Sequence, residues 1–344
     1  MMIRLRCCVA EALTVVLVCF SNCSVADLKL ACVETSASAE SSEVCALPMG
    51  IQVCGGVASS NLNSILSHRY LVVDLSGGVS AERFPVRWFN HNPHDGWADE
   101  YKTTKLVLRR ITPGSFVMGA EKTNMYHLVT LTKPFFIGVF EVTQRQWELV
   151  MGTRPSHFKD NYEKRPVESV SFDMIRGRDL GAKWPKAEDV DAYSFLGILR
   201  KRTGLKFDLP TEAQWEYACS AGADTEYSYG SDPDGRYMWF GDNSEGQTHE
   251  VGLKLPNKWN LFDMHGNVSE WCLNRNSPMF YGDDPRGLSV GSYRMKRGGA
   301  GFSDGEDCST FRRGCGEPSD GDMFTGFRLI VEMGADSLKR PECH

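Results

Sequence analysis

Residues 209–219 read LPTEAQWEYAC. Thr211 can accept a backbone hydrogen bond from Gln214, and the Gln214 side chain can return one to the Thr211 amide. The pair therefore predicts a helix start closed by a reciprocal capping box. TQRQWELVMG, residues 143–152, repeats the device with Thr143, Gln146 and a glycine stop at Gly152. A third helix is predicted over 188–203: Ala192, Phe195, Leu196 and Leu199 share a face, Arg200 to Arg202 suit its C-terminal end, and Gly204 follows. Strand-like runs surround these helices, namely RYLVVDLSGG (69–78), KLVLRRI (105–111), FVMG (116–119), HLVTLTKPFFIGVFEV (127–142) and GFRLIVE (326–332). Residues 79–104 show no helical period, and residues 220–326 are dense in Gly, Asp, Asn and Ser. Neither a βαβ alternation nor a fixed-period repeat occurs, which argues against barrels, doubly wound sheets and solenoids. The expected class is α+β with little regular secondary structure.

The 344 residues are 42% hydrophobic and 24% charged, an ordinary globular composition. A formal net charge of −6 argues against nucleic-acid binding, and makes Arg297-Gly298-Gly299 a turn rather than an RNA contact. At the N-terminus, Arg4 and Arg6 precede an apolar run from Ala12 to Phe20, and Ser24-Val25-Ala26 offers small residues for cleavage. Residues 1–26 thus read as a signal peptide, too short for a membrane span, with a lipoprotein anchored at Cys23 as the lesser alternative. The expected location is secreted or periplasmic. Beyond the leader, residues 27–104 read as a Cys- and Ser-rich extension, 105–333 as the main domain and 334–344 as a tail.

Of twelve cysteines, four lie in the leader, leaving Cys32, Cys45, Cys54, Cys219, Cys272, Cys308, Cys315 and Cys343. An even number in an exported chain makes disulfides the default, and the absence of CxxC among them removes the usual zinc spacing. Cys308 follows the acids Asp304, Glu306 and Asp307, which oppose thiolate formation, while Arg312 and Arg313 partly offset them. A soft copper site would need a second sulfur, and nearby in sequence there is Cys315. In LFDMHGNVSEW, residues 261–271, Asp263 and Glu270 flank a Gly266-Asn267 turn. Carboxylates and inward carbonyls of this kind suit calcium, and equally suit a tight turn capped by its own amides. His157, His249 and His265 are scattered, so no imidazole metal centre is expected.

Taken in order, FVMG, FFIGVFEVTQRQW, RPVESVSF, LPTEAQWEYAC, NLFDMHGNVSEW, KRGGAGF and GFRLIVE resemble the formylglycine-generating enzymes, or sulfatase-modifying factors. The resemblance covers residues about 106–332 and implies a single α+β domain related to C-type lectins. It implies an enzyme that uses oxygen and copper to oxidise a sulfatase cysteine to formylglycine. The family's GGS serine then falls on Ala300, its first copper cysteine on Ser303 and its second on Cys308. The tryptophan of the family's GNVWEW falls on Ser269. One thiolate and a hard hydroxyl would not reproduce a two-sulfur copper site. The resemblance also implies calcium on Asp263, Gly266, Val268 and Glu270, and disulfides Cys219–Cys315 and Cys272–Cys308.

Three functions follow as expectations. The favoured one is a secreted domain that binds a peptide, a protein such as a sulfatase, or a glycan, without oxidase chemistry. Trp239, Phe240 and Tyr281 are its candidate contact residues. The alternative is an active formylglycine-generating oxidase working through Cys308, and an iron-dependent oxidase ranks last.

Overall fold

The computed structural model describes residues 68–92, 97–120, 126–178, 190–276, 282–288 and 291–332. The expected signal peptide, the cysteines at 32, 45, 54 and 343, Tyr281 and the tail lie outside the described residues.

Alternating hydrophobic runs build the main sheet. Strands β1 (Tyr70–Asp74), β2 (Val86–Phe89), β3 (Lys105–Ile111), β6 (Phe135–Gly138), β7 (Phe207–Asp208) and β13 (Ile330–Glu332) pair in the order β2-β1-β3-β6-β13-β7. β1 runs antiparallel to β3 from Tyr70↔Arg109 to Asp74↔Lys105. Residues 70–89, read from sequence as extension, thus share one sheet with the family-like stretch. A β-strand sends successive side chains to opposite faces, and the burial follows that rule. Leu71, Val73, Leu106, Leu108, Phe136 and Val331 enter one core, while Ile111, Phe135, Ile137 and Ile330 enter another.

Helices close both faces. Gln144–Met151 and Phe195–Thr203 pack on the first core, with Trp147 stacked on Phe195 at 5.3 Å. Helix Glu212–Ser220 packs on the second through Trp215 and Ala218. Both capping boxes form: Thr143 N donates to Gln146 Oε1 at 2.9 Å, and Thr211 N to Gln214 Oε1 at 2.9 Å. The third helix starts later than the sequence period suggests. Ser194 accepts from the Gly197 amide at 3.1 Å and ends the turn-like approach, so Ala192 falls outside the helix. Residues 79–104 contain β2 and the short helix Glu100–Thr103.

Two smaller sheets carry the irregular half. Strands β8 (Ser269–Arg275), β10 (Arg294–Arg297), β11 (Arg313–Gly316) and β12 (Thr325–Gly326) pair in the order β11-β10-β8-β12. Strands β4 (Gly114–Met118), β5 (His127–Leu131) and β9 (Gly282–Asp283) form the other. Among the described residues no helix is long and apolar enough to cross a membrane.

Candidate functional site

The loop after β10 begins at a buried anchor. The Arg297 guanidinium is fully buried, pairs with Glu216 and Glu212, and donates to the Thr310 carbonyl at 2.9 Å. Gly298 and Gly299 then take φ of 98° and 69°, a region that favours glycine. Space demands glycine as well: a Cβ on Gly299 would lie 2.6 Å from Cys308 Sγ. The RGG triplet is thus a turn that brings the next three residues back onto Cys308. Ala300 N donates to Ser303 Oγ at 3.1 Å, and the same amide helps hold Cys308. Ala300, Ser303 and Cys308 are therefore brought together.

Their chemistry does not suit copper. Cys308 is buried among Tyr227, Met238 and Phe240. Burial pushes its thiol up to about 12, with the carboxylates of Asp307 and Asp304 adding to the shift and the Ala300 amide opposing it. Its neighbour, the Ser303 hydroxyl, is a hard donor already engaged by the Ala300 amide. One buried thiol beside a hard hydroxyl is not the pair of sulfur donors that a soft copper site needs.

The second candidate, the 261–271 turn, has its carboxylates in place. Asp263, Gly266 and Asn267 take positive φ of 54°, 79° and 61°, and a Cβ on Gly266 would collide with the Trp239 carbonyl. Arg328 lies beneath the turn. Its guanidinium pairs with Glu270 at 2.6 Å and donates to the carbonyls of Phe262 at 3.0 Å and Asp263 at 3.3 Å. Trp215 Nε1 donates to Glu270 Oε2 at 2.7 Å. Asp263 Oδ2 accepts from the Gly252 amide at 2.6 Å, whereas Asp263 Oδ1 is buried without a hydrogen-bond partner. Sequence reading missed a third buried carboxylate. Glu141 accepts from Asn267 Nδ2 at 2.7 Å and from the Val268 amide at 3.2 Å. The FEV tripeptide at 140–142 was the available signal, an acid inside an otherwise apolar strand run.

Burial pushes Asp263 up to about 6, against the Gly252 amide, Arg328 and Lys102, and pushes Glu141 well above the usual carboxylate range. A buried, unpartnered oxygen beside two further buried acids fits a hard cation. Asp263 is the carboxylate of this group with an oxygen left open. Glu270 is committed to Arg328 and Trp215, and Gly266 and Val268 are buried in the same turn. Among the described residues no group of three or more His, Cys, Asp or Glu side chains is arranged to hold a metal.

The expected disulfides are not formed. Cys219, Cys272, Cys308 and Cys315 are all free thiols. Cys219 is buried against Met264 and His265, whereas Cys315 is exposed on strand β11, so the shift of register needed to join them does not occur. Cys272 packs in the core that holds Trp215 and Met264, while Cys308 sits in the separate cluster with Tyr227 and Met238.

The histidines serve three unrelated settings. His157 is exposed beside Phe158, and His249 stacks on Trp239 at 3.8 Å. His265 is buried: the Ser228 amide donates to Nε2 at 3.2 Å, so Nδ1 carries the proton and donates to the Cys308 carbonyl at 2.8 Å. Desolvation pushes its pKa down to about 4.

The candidate contact aromatics also change. Phe240 is a core residue, and Trp239 is sandwiched between His249 and the Lys254 ammonium, 3.6 Å from the ring centroid. An exposed aromatic beside the 297–308 turn is Phe302, 61% exposed, lying at 4.6 Å on the buried Phe324, which in turn meets Phe158 at 5.5 Å. Close by, Ser269 Oγ donates to the Gly299 carbonyl at 3.2 Å. The surface beside Ala300 and Ser303 is thus a small aromatic platform with a half-exposed serine.

Comparison with known proteins agrees with this geometry. The chain is 34% identical over 181 residues to the chaperone protein LppX of Paenibacillus barcinonensis, covering 42% of this chain and 63% of that one. It is 33% identical over 148 residues to the formylglycine-generating enzyme of Thermomonospora curvata, covering 36% and 49% respectively. The chain therefore spans less than two thirds of the length of these curated relatives. Among solved structures, Treponema denticola variable protein 1 superposes with a TM-score of 0.57 at 28% identity, over 67% of this chain and 96% of that one. PvdO from Pseudomonas aeruginosa, at TM-score 0.54, 22% identity and coverage of 66% and 94%, shares the fold. Residues 98–333, well over half the chain, match the sulfatase-modifying factor enzyme 1-like domain, and the protein belongs to that family.

Proposed function

We propose that this chain is a non-oxidising member of its family, exported from the cytoplasm, that holds a peptide or glycan on the platform around Phe302. The observation that carries the reading is the make-up of the would-be copper pair: an engaged hydroxyl at Ser303 and a single buried thiol at Cys308. The solvent-facing Phe302 beside them offers binding area without chemistry. Similarity to a protein named as a chaperone supports engagement of another polypeptide. Export rests on Arg4, Arg6 and the apolar run that follows them.

The test is incubation of the mature protein with a peptide containing Cys-x-Pro-x-Arg, in air, with added copper. No aldehyde and no oxygen uptake are expected. Aldehyde formation that disappears in Cys308→Ala would establish the oxidase instead.

Calcium is part of the same proposal, as a brace for the 261–270 turn. Asp263 would hold it, with the carbonyls of Gly266 and Val268 and the charge of Glu270 in support. A ligand at a hundredfold its dissociation constant raises unfolding free energy by about 2.7 kcal/mol. A clear rise of the melting midpoint in saturating calcium is therefore expected for the wild type, and none for Asp263→Ala.

A further inference from the structure

The side chains around Phe302 divide sharply by type. At the centre is Phe302, 61% exposed, against the ring of Phe324, which meets Phe158; Met323, 44% exposed, directly precedes Phe324 in the chain. On one side the chain at 241–245 packs directly against the loop: the Gly241 amide donates to the Ser303 carbonyl at 2.8 Å, and Ser244 donates to the Gly301 carbonyl. That segment contributes the exposed carboxylates Asp242 and Glu245. The loop itself adds Asp304 and Glu306, both exposed. On the other side Asp320 is exposed within the segment leading to Met323 and Phe324, and the Asp322 carbonyl fixes that segment by accepting from the Ser169 amide at 2.9 Å.

The cations in these segments are largely spoken for. Arg312 pairs with Asp307 at 2.8 Å, Lys296 with Asp322 at 3.2 Å, and Arg313 with Glu212 at 2.8 Å. Arg165 is buried against the Thr248 carbonyl and Gln247. Lys159, exposed next to Phe158, has Asp160 beside it in sequence. Five exposed carboxylates thus border one apolar platform without a matching set of cations.

We infer that the occupant of this platform is a cationic polypeptide segment, in which an apolar or aromatic side chain rests on Phe302 and Met323 while flanking Lys or Arg side chains face Asp242, Glu245, Asp304, Glu306 and Asp320. This rests on the binding reading above and narrows it. Apolar contact supplies the anchor, and complementary rim charge supplies orientation, association rate and rejection of acidic partners. A neutral glycan could use the ring but would gain nothing from the rim. An acidic segment would be repelled.

The experiment compares two short fluorescent peptides, each with one phenylalanine, flanked by lysines in one and by glutamates in the other. Fluorescence anisotropy is read with the full chain. The lysine peptide is expected to bind at least about tenfold tighter, with the preference fading as salt screens the rim. Phe302→Ala, at an exposed position that leaves the melting midpoint unchanged, should weaken the lysine peptide by about tenfold or more. Asp304→Asn with Glu306→Gln should weaken the lysine peptide alone, by about threefold to tenfold. Equal, Phe302-dependent binding of both peptides would overturn the cationic assignment while leaving the binding reading intact. So would saturable binding of a neutral oligosaccharide with both peptides ignored. Failure of peptides and oligosaccharide alike would overturn both.

Discussion

Two loops of this protein, 261–270 and 297–308, gather their polar and sulfur side chains in contrasting ways. The second is a tight turn without a pair of soft donors: Gly298 and Gly299 fold the chain onto Cys308, but the neighbouring side chain is a hydroxyl and the thiol is buried. The first keeps its carboxylates, because they also hold the fold together. Glu270 neutralises Arg328, which pins the carbonyls of Gly138 and Phe262 and so ties the turn to the main sheet. Side chains needed for chemistry alone can be replaced without structural penalty, whereas those that double as core counter-charges cannot.

The comparison breaks first at Arg328. Arg328→Ala leaves the buried Glu270 without its counter-charge, and breaking a buried pair in this way costs about 3–5 kcal/mol. Chemical denaturation should show that loss, and Arg328→Met combined with Glu270→Met should recover much of it.

Acid sharpens the contrast next. His265 bridges Ser228 and Cys308 beneath the copper-like loop, and its folded pKa of about 4 lies below the ordinary imidazole value of 6.5. The unfolded chain binds this proton more readily. The contribution of His265 is therefore fully present above pH 6.5 and is lost as pH falls toward 4, an amount on the order of 3 kcal/mol. Asp263, raised to about 6, acts in the opposite sense: its burial costs stability as pH rises from its ordinary 3.8 toward 6. The two loops thus oppose each other between pH 4 and 6. His265→Gln should remove the acid-side loss, so that unfolding free energy below pH 6 rises on acidification where the wild type shows compensation.

The smallest effect is expected at Gly299. Gly299→Ala places a Cβ against Cys308 Sγ at positive φ, costing about 1–3 kcal/mol. Adding Cys308→Ala should return part of that cost, leaving the share due to backbone strain. Full additivity of the two substitutions in a denaturation series would show that the contact between them does not matter.

Much of the fold was legible before any coordinates. Thr143 with Gln146 and Thr211 with Gln214 marked two helix starts, because capping is settled within four residues of chain. The alternation in KLVLRRI and RYLVVDL marked β3 and β1 for the same local reason. The helix at 195–203 was placed too early, since Ser194 as a cap competes with an apolar period extending upstream. At the site, Ser303, Cys308, Asp263 and Glu270 could be named from the motifs that contain them. Glu141, Arg328 and Phe302 could not, because their roles arise only from neighbours 126 and 58 residues away or from exposure that the sequence does not encode.

Chain chemistry by itself determined the element starts, the glycine turns and the missing sulfur, all of which depend on residues within a few positions of one another. Tertiary structure alone decided that the four described cysteines stay apart, that three buried acids gather round one guanidinium, and that Phe302 faces water. Those outcomes depend on which segments meet across the sheets, and burial, through its cost to charge and its gain for apolar surface, then sets what each side chain can do.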